Sequence, residues 1–314
     1  MLNKVLKYLD YLFVLRPILF FPVWTLILCG YYSSESNINV EVAQDTTFII
    51  LSFILLTVTS GAVYLLNNIE DAAGDKINRK VLLIQDGFFT KKQATRYLFL
   101  LLSIGLLLAF FASFKLFLWL VASFLITGYI YSAKPFKLKD SVYGSLVVSI
   151  VSGFMTFGFG WYLQSNTLNP VFLWYALPYV LAWVSVSLLT TIPDKEGDTH
   201  EAKETVSVKH GIEKTQDIGY LLLGLSLFFS ALTWDWVIGL AGALSIPAYR
   251  EMFNTRTVAS TLKSIRYSIG LLSAIIALVF PSYFVLLAFV YFLSKWYYKQ
   301  RFNLNYPTLK TDQT

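Results

Sequence analysis

Ten apolar runs, each parted from the next by a polar stretch, restrict what this chain can fold into more than any other feature. They fall near residues 12–32, 48–66, 97–114, 116–131, 143–163, 171–190, 218–232, 236–249, 267–280 and 283–294. Several are shorter than the ~20 residues a helix needs to cross a bilayer, so their ends extend into the flanking turns. Thr233-Trp234-Asp235 and Phe280-Pro281-Ser282 read as hinges between paired helices. Only 14% of the residues are charged while 56% are apolar, a balance no soluble domain of this size needs. The expectation is an all-α, polytopic membrane bundle of nine to ten transmembrane helices. It forms a single integral-membrane domain over residues 1–314, with an extra C-terminal apolar segment at 283–294.

Charge orients this bundle. With ten crossings, every Lys and Arg except Lys115 lies on one side, which the positive-inside rule makes cytoplasmic. Nine crossings would put the basic C-terminal tail on the wrong side. The N-terminus and the loops 67–96, 132–141 and 191–217 then face the cytoplasm. The net charge of +6 marks topology and not nucleic-acid binding, because the basic residues are spread over separate short loops. The single cysteine, Cys29, sits inside an apolar run and reads as inert packing. The first run has no small-residue cleavage site, so it reads as a retained helix and not a signal peptide.

Two acidic columns stand out against this background. If the second run continues as helix, Asn67, Asp71 and Asp75 lie at i, i+4 and i+8, on one face. Asp194 and Asp198 repeat the spacing past a later run. Carboxylates at a membrane edge are expensive and seldom idle. Two such columns on facing helices suit a hard cation such as Mg²⁺, which takes oxygen ligands and shares its shell with substrate phosphates. Nearby Arg79, Lys80, Lys134, Lys137, Lys139, Lys203 and Lys209 are donors suited to a diphosphate. Acid, metal and base together describe a diphosphate site at a membrane surface, with a lipid tail on the diphosphate.

These residues also carry a resemblance. Asn67-Asn68-x-x-Asp71-x-x-x-Asp75 resembles the first Asp-rich motif of the UbiA superfamily of intramembrane prenyltransferases. Asp194-x-Glu196-Gly197-Asp198, followed by Lys203-x-Thr205 and His210-Gly211, resembles the second. Tyr131-Ser132-x-Lys134-Pro135-x-Lys137-Leu138-Lys139 is similar to the loop after the family's fourth helix, and Arg16-Pro17 to the opening of its first. The resemblance covers roughly residues 10–280. It departs at Asn68, where many members carry Asp, and at Leu82-Leu83, where they carry Arg-Pro.

The resemblance implies a nine-helix, UbiA-like bundle around a central cavity, capped by two cytoplasmic loops and open sideways to lipid. It implies that Asn67, Asp71, Asp75, Asp194 and Asp198 bind the diphosphate through Mg²⁺. Ionisation would leave an allylic cation shielded by Tyr64, Tyr129 or Tyr131, which an acceptor attacks. Asn67, Asp71, Asp194 and Tyr131 are thus the catalytic candidates. Arg16, Arg79, Lys80, Lys134, Lys137 and Lys203 are the candidates for substrate binding. Blander readings stand beside these: Lys134 and Lys137 as topology markers only, and Arg16, about a turn inside the first helix, as a snorkelling side chain.

The partners implied are a prenyl diphosphate, membrane lipid and a lipophilic or aromatic acceptor, either an aromatic ring or a glycerol-phosphate lipid. No nucleic acid is implied and no protein partner can be inferred. The competing class is a cation-coupled transporter, which would want its carboxylates near the midplane; here they cluster at one surface. The D-x-x-D-G-x-x-A-R pattern of a CDP-alcohol phosphotransferase is absent.

Overall fold

The computed structural model describes residues 2–38, 44–72, 75 and 83–308. Among these every regular element is a helix, and the one β-bridge is an isolated pair, Ser141 with Glu204. The first apolar run does not form one continuous helix. Helix α1 (Leu2–Phe13) ends before Arg16, and a short 3₁₀ turn (Pro17–Leu19) leads into α2 (Phe20–Asn37). The break follows from Pro17, which disfavours helical backbone at the residue before it. Arg16 sits instead in the left-handed region, φ 56° and ψ 62°. The expectation that Arg16 lies inside a helix is therefore corrected.

Helix α3 (Thr46–Glu70) delivers the first acidic column. Helix α4 (Lys91–Ala112) opens with a capping box in which Thr90 and Gln93 satisfy each other's backbone N–H. Helix α5 (Phe114–Ser123) continues as a π-helical turn (Phe124–Ile130) that ends at Tyr131. π-helical turns recur at functional sites, and this one points the tyrosine loop toward α3. There follow α6 (Val142–Ser165), α7 (Phe172–Leu189), the short α8 (Lys195–His200) and α9 (Val206–Leu232). Helix α9 is kinked at Gly211, whose φ of 84° only glycine adopts freely. Helices α10 (Trp236–Thr255), α11 (Val258–Val279) and α12 (Pro281–Phe302) complete the bundle. Both expected hinges are present, at the α9–α10 and α11–α12 turns.

Seven helical stretches among the described residues are long and apolar enough to cross a membrane: Lys4–Asn37, Thr46–Glu70, Lys91–Ala112, Val142–Ser165, Phe172–Leu189, Val206–Leu232 and Val258–Val279. Phe114–Ile130 is apolar but shorter. The protein is an integral, multi-pass membrane protein.

Packing between lipid-embedded helices depends on close backbone approach more than on hydrophobicity. Helices α2 and α6 achieve it reciprocally: a Cβ at Gly30 would collide with the Phe157 carbonyl, and one at Gly160 with the Ile27 carbonyl. A second contact ties the two ends of the chain together. Arg301 donates to both oxygens of the buried Asp10, at 3.1 and 2.8 Å, and the Tyr297 hydroxyl donates to Asp10 Oδ1 at 2.6 Å. Phe13 stacks on Tyr297 with centroids 3.7 Å apart. At the far end of the bundle Asp235 caps α10 by accepting from the Val237 and Ile238 N–H groups, and it also accepts from Tyr179 and Ser33.

Candidate functional site

The last turn of α3 sends its polar residues in two directions. Asn67 and Asp71 face a cleft, whereas Asn68 turns away: its Oδ1 accepts from Arg16 Nη1 at 3.2 Å and its amide donates to the Val14 carbonyl. Asn68 is thus a brace between α3 and the α1–α2 break. Its departure from the Asp-rich motif takes no ligand from the cleft. Arg16 is held in this brace and does not reach the cleft. Asp75 is buried and accepts from Gln85 Nε2 at 3.2 Å.

Opposite α3, Asp194 precedes α8 and Asp198 lies within it. Asn67, Asp71, Asp194, Asp198, Lys139, Lys203 and Tyr131 line one polar cleft of about 140 Å³. Its walls are stitched together by backbone and hydroxyl bonds. The Glu204 N–H donates to the Asp140 carbonyl at 2.7 Å, joining the two motif loops, and the Ser207 hydroxyl donates to the Thr191 carbonyl at 2.8 Å, fixing the start of α9 on the end of α7.

Two ammonium groups stand among the carboxylates. Lys139 Nζ lies 2.7 Å from Asp71 Oδ1 and donates to Asn67 Oδ1 at 3.0 Å; Ser132 donates to the same Asn67 oxygen at 3.1 Å. Lys203 Nζ bridges the two sides, 3.0 Å from Asp71, 3.4 Å from Asp198 and 2.7 Å from Glu201. Burial raises the Asp71 carboxyl, but the two lysines outweigh it and hold its pKa below the usual carboxylate value. Burial works against Lys203 too, yet Asp71, Glu201 and Asp198 together hold its pKa above the ordinary lysine value. Lys139 goes the other way: burial and the neighbouring Lys203 charge outweigh Asp71 and lower it. Asp198 is raised by burial and by Asp194, against Lys203. Burial, then the charges of Asp71 and Asp198, push the Tyr131 phenol up to about 12, so it is a neutral hydroxyl at physiological pH.

Two chambers with largely apolar walls adjoin the cleft. One, of about 230 Å³, runs between α3, α5 and α6 and shares Asn67, Tyr131, Ser149 and Ser187 with the cleft. The other, of about 320 Å³, lies between α2, α7, α10 and α11 and meets the cleft at Ser187 and Thr190. Tyr64 and Trp183 border both.

Of the residues expected at the site, Asn67, Asp71, Asp194, Asp198, Tyr131 and Lys203 are brought together. Lys134 is exposed and Lys137 half-buried in a left-handed turn (φ 43°), and neither lines the cleft. Tyr129 lies against Phe136 outside both chambers. Arg79 and Lys80 lie outside the described residues. Lys139, third of the loop's three lysines, reaches the cleft. The hydroxyls of Ser149 and Ser187, 2.8 Å apart, were not singled out by sequence. Their signal was there, because polar side chains in membrane helices face the bundle interior.

The donor set suits a hard cation: carboxylate and amide oxygens from both walls of one cleft. Among the described residues no three His, Cys, Asp or Glu side chains form a group able to hold a metal ion. Between Asp71 and Asp198 the bridging cation is the Lys203 ammonium.

The structure is a multi-pass helical bundle with a charged, buried cleft beside two largely apolar chambers. Residues 22–257 match the profile of the UbiA prenyltransferase family. The match takes in most of the chain, and the chain belongs to that family: it is a prenyltransferase.

Its curated relatives include a digeranylgeranylglyceryl phosphate synthase from Sulfolobus acidocaldarius, 25% identical over 237 residues, covering 72% of this chain and 84% of the relative. Another from Sulfurisphaera tokodaii is 26% identical over 180 residues, covering 56% of this chain and 62% of that relative, so the match spans less than two thirds of its length. Among solved structures, a UbiA homolog from Archaeoglobus fulgidus bound to DMAPP and Mg²⁺ has a TM-score of 0.62 at 17% identity, over 85% of this chain and 99% of that one. A structure of digeranylgeranylglyceryl phosphate synthase has a TM-score of 0.60 at 20% identity, over 87% and 97%.

Proposed function

We propose that the protein transfers a prenyl group from an isoprenyl diphosphate to a glycerol-phosphate lipid in the membrane and releases diphosphate. The carrying observation is the cleft itself: Asp71 and Asp198 on opposite walls, Lys203 between them, Lys139 against Asp71, and apolar chambers alongside. Lys139 and Lys203 donate to the phosphate oxygens, with Asn67 and Ser132 fixing where Lys139 points. Asn67, Asp71, Asp194 and Asp198, which line the cleft, are the residues that would hold Mg²⁺, which when bound neutralises charge gathering on the departing diphosphate; Asp75, held by Gln85, stands outside that lining. The bond from C1 to the diphosphate oxygen breaks with its electron pair leaving on diphosphate. The acceptor oxygen then bonds to C1, and its proton passes to the departing diphosphate. Tyr131, neutral at working pH, presents a ring face to the allylic cation. Exclusion of water by the chamber walls keeps that cation for the acceptor.

The glycerol-phosphate acceptor is favoured over an aromatic one by the relatives, which are named as synthases of a glyceryl phosphate lipid. Mg²⁺ with a prenyl diphosphate is what the Archaeoglobus fulgidus homolog binds. We read α5, α10 and α12 as crossings in addition to the seven apolar stretches. The contact of α1 with the last turn of α12 supports an even number, since it requires both chain ends on one face. The charge bias makes that face cytoplasmic. No observation favours transport.

The test is product formation by the detergent-purified protein with prenyl diphosphates, Mg²⁺ and a mixed panel of glycerol-phosphate and phenolic acceptors, read by mass. A prenylated phenol in place of a prenylated glycerol-phosphate lipid would overturn the acceptor assignment.

A further inference from the structure

Prenyl transfer between two lipids must bring two headgroups to one point while their chains diverge. The cleft borders two chambers. The first chamber shares Asn67 and Tyr131 with it, beside the Asp71 wall; the second shares Ser187 and Thr190, beside Asp194. Where the two chambers adjoin stand Tyr64 and Trp183. Both rings are pinned by their polar ends: the Tyr64 hydroxyl donates to the Leu19 carbonyl at 2.9 Å, and Trp183 Nε1 donates to Ser152 at 3.3 Å.

Resting on the reading proposed above, we infer that the second chamber seats the hydrocarbon chain of the acceptor, the first seats the donor's prenyl chain, and Tyr64 and Trp183 keep the two apart. Three observations support this division. Tyr131, whose ring suits an allylic cation, lines the first chamber and not the second. The second chamber offers little to a polar ligand, because its hydroxyls are already engaged: Thr25 with Ser273 and Tyr283, Tyr249 with Ser185, Ser245 with the Ala241 carbonyl. A space whose polar groups are satisfied within the protein takes hydrocarbon. Lastly, at roughly 30 Å³ per group of water or methylene size, 320 Å³ holds a chain of about ten carbons. A small acceptor that reached only the cleft would leave that space without a substrate.

Ala182 and Val186, on successive turns of α7, are half-buried and line only the second of these chambers. Ala182→Phe and Val186→Phe therefore fill it without touching Asp71, Asp198 or either lysine. The experiment measures KM for donor and acceptor in the full-length protein and both variants, using a prenyl diphosphate with a long-chain and a short-chain glycerol-phosphate ether. Each methylene lost from an apolar site weakens binding about fourfold. Displacing several should raise the long-chain acceptor KM at least tenfold, leave the donor KM within about twofold, and remove the preference for the long-chain over the short-chain acceptor. Thr156→Phe, in the first chamber, should do the reverse. A donor KM that rises with Ala182→Phe while the acceptor KM stays put would exchange the two assignments and overturn the inference. Unchanged kinetics in both α7 variants, each still monodisperse in detergent, would show that neither chain uses the chamber. If the wild-type protein prenylates phenols but no glycerol-phosphate ether, the functional reading itself fails, an outcome distinct from wild-type activity that is indifferent to chamber filling.

Discussion

Replacing Lys139 by methionine separates the structure's account of the cleft from the simpler view that the loop's lysines only mark topology. The substitution keeps most of the stem and removes the charge. Lys139 is 6% exposed, 2.7 Å from Asp71 and 3.0 Å from Asn67, so water cannot readily replace its ammonium. If that ammonium bears on charge developing on the diphosphate, its loss resembles removal of one preorganised donor from an anion-stabilising site, about 2.7–4 kcal/mol or 10²–10³-fold in rate. Folding should suffer less. Asp71 keeps Lys203 at 3.0 Å, and leaving one buried partner incompletely satisfied costs about 1–3 kcal/mol. Steady-state kinetics of Lys139→Met, Lys134→Met and Lys137→Met, each with a thermal-unfolding control, make the comparison. Lys139→Met should lose about 10²–10³-fold in kcat/KM, while the other two stay within about threefold. A Lys139→Met enzyme within threefold of wild type, or equal losses in all three variants, would refute the reasoning.

Other outcomes follow from the packing and the charges. Asp10→Ala leaves Arg301 and Tyr297 facing an apolar gap; with Arg301 15% exposed, the loss should fall toward the lower end of the 3–5 kcal/mol typical of a broken buried pair, visible as a lowered Tm in detergent. Gly160→Leu forces α2 and α6 apart where the Ile27 carbonyl now sits, so it should destabilise by at least the ~1–3 kcal/mol of ordinary overpacking and reduce the yield of monodisperse protein. Because the folded pKa of Asp71 is depressed, its contribution to stability is fully present above the unfolded carboxylate pKa and disappears as pH falls through the folded value. Tm should then drop on the acid side of the ordinary carboxylate range, and Asp71→Asn should flatten that part of the profile.

Some of this was legible in the sequence for plain reasons. An i, i+4 spacing survives translation into helix, so Asn67 and Asp71 could be placed on one face and the second column opposite them. The hinges at Trp234 and Pro281 were legible because turn residues interrupt apolar runs there. What could not be read were matters of direction and of packing. Three lysines in six residues look alike in sequence; the left-handed turn at Lys137 decides that Lys139 points inward. Asn68 looked like a ligand lost from a motif until the break at Arg16 supplied its partner. The chambers, and the exclusion of Tyr129 from them, depend on how helices distant in sequence lean on one another, which no local pattern encodes.

The central claim is that the two acidic walls act together on a diphosphate. The most direct test incubates the purified protein with a prenyl diphosphate and the acceptor panel, with Mg²⁺ or with EDTA, alongside Asp71→Ala and Asp194→Ala. The account predicts a prenylated product and released diphosphate with Mg²⁺, neither with EDTA, recovery when Mg²⁺ is restored, and loss in both variants. Product formed equally in EDTA, or retained when either wall has lost its carboxylate, would contradict it.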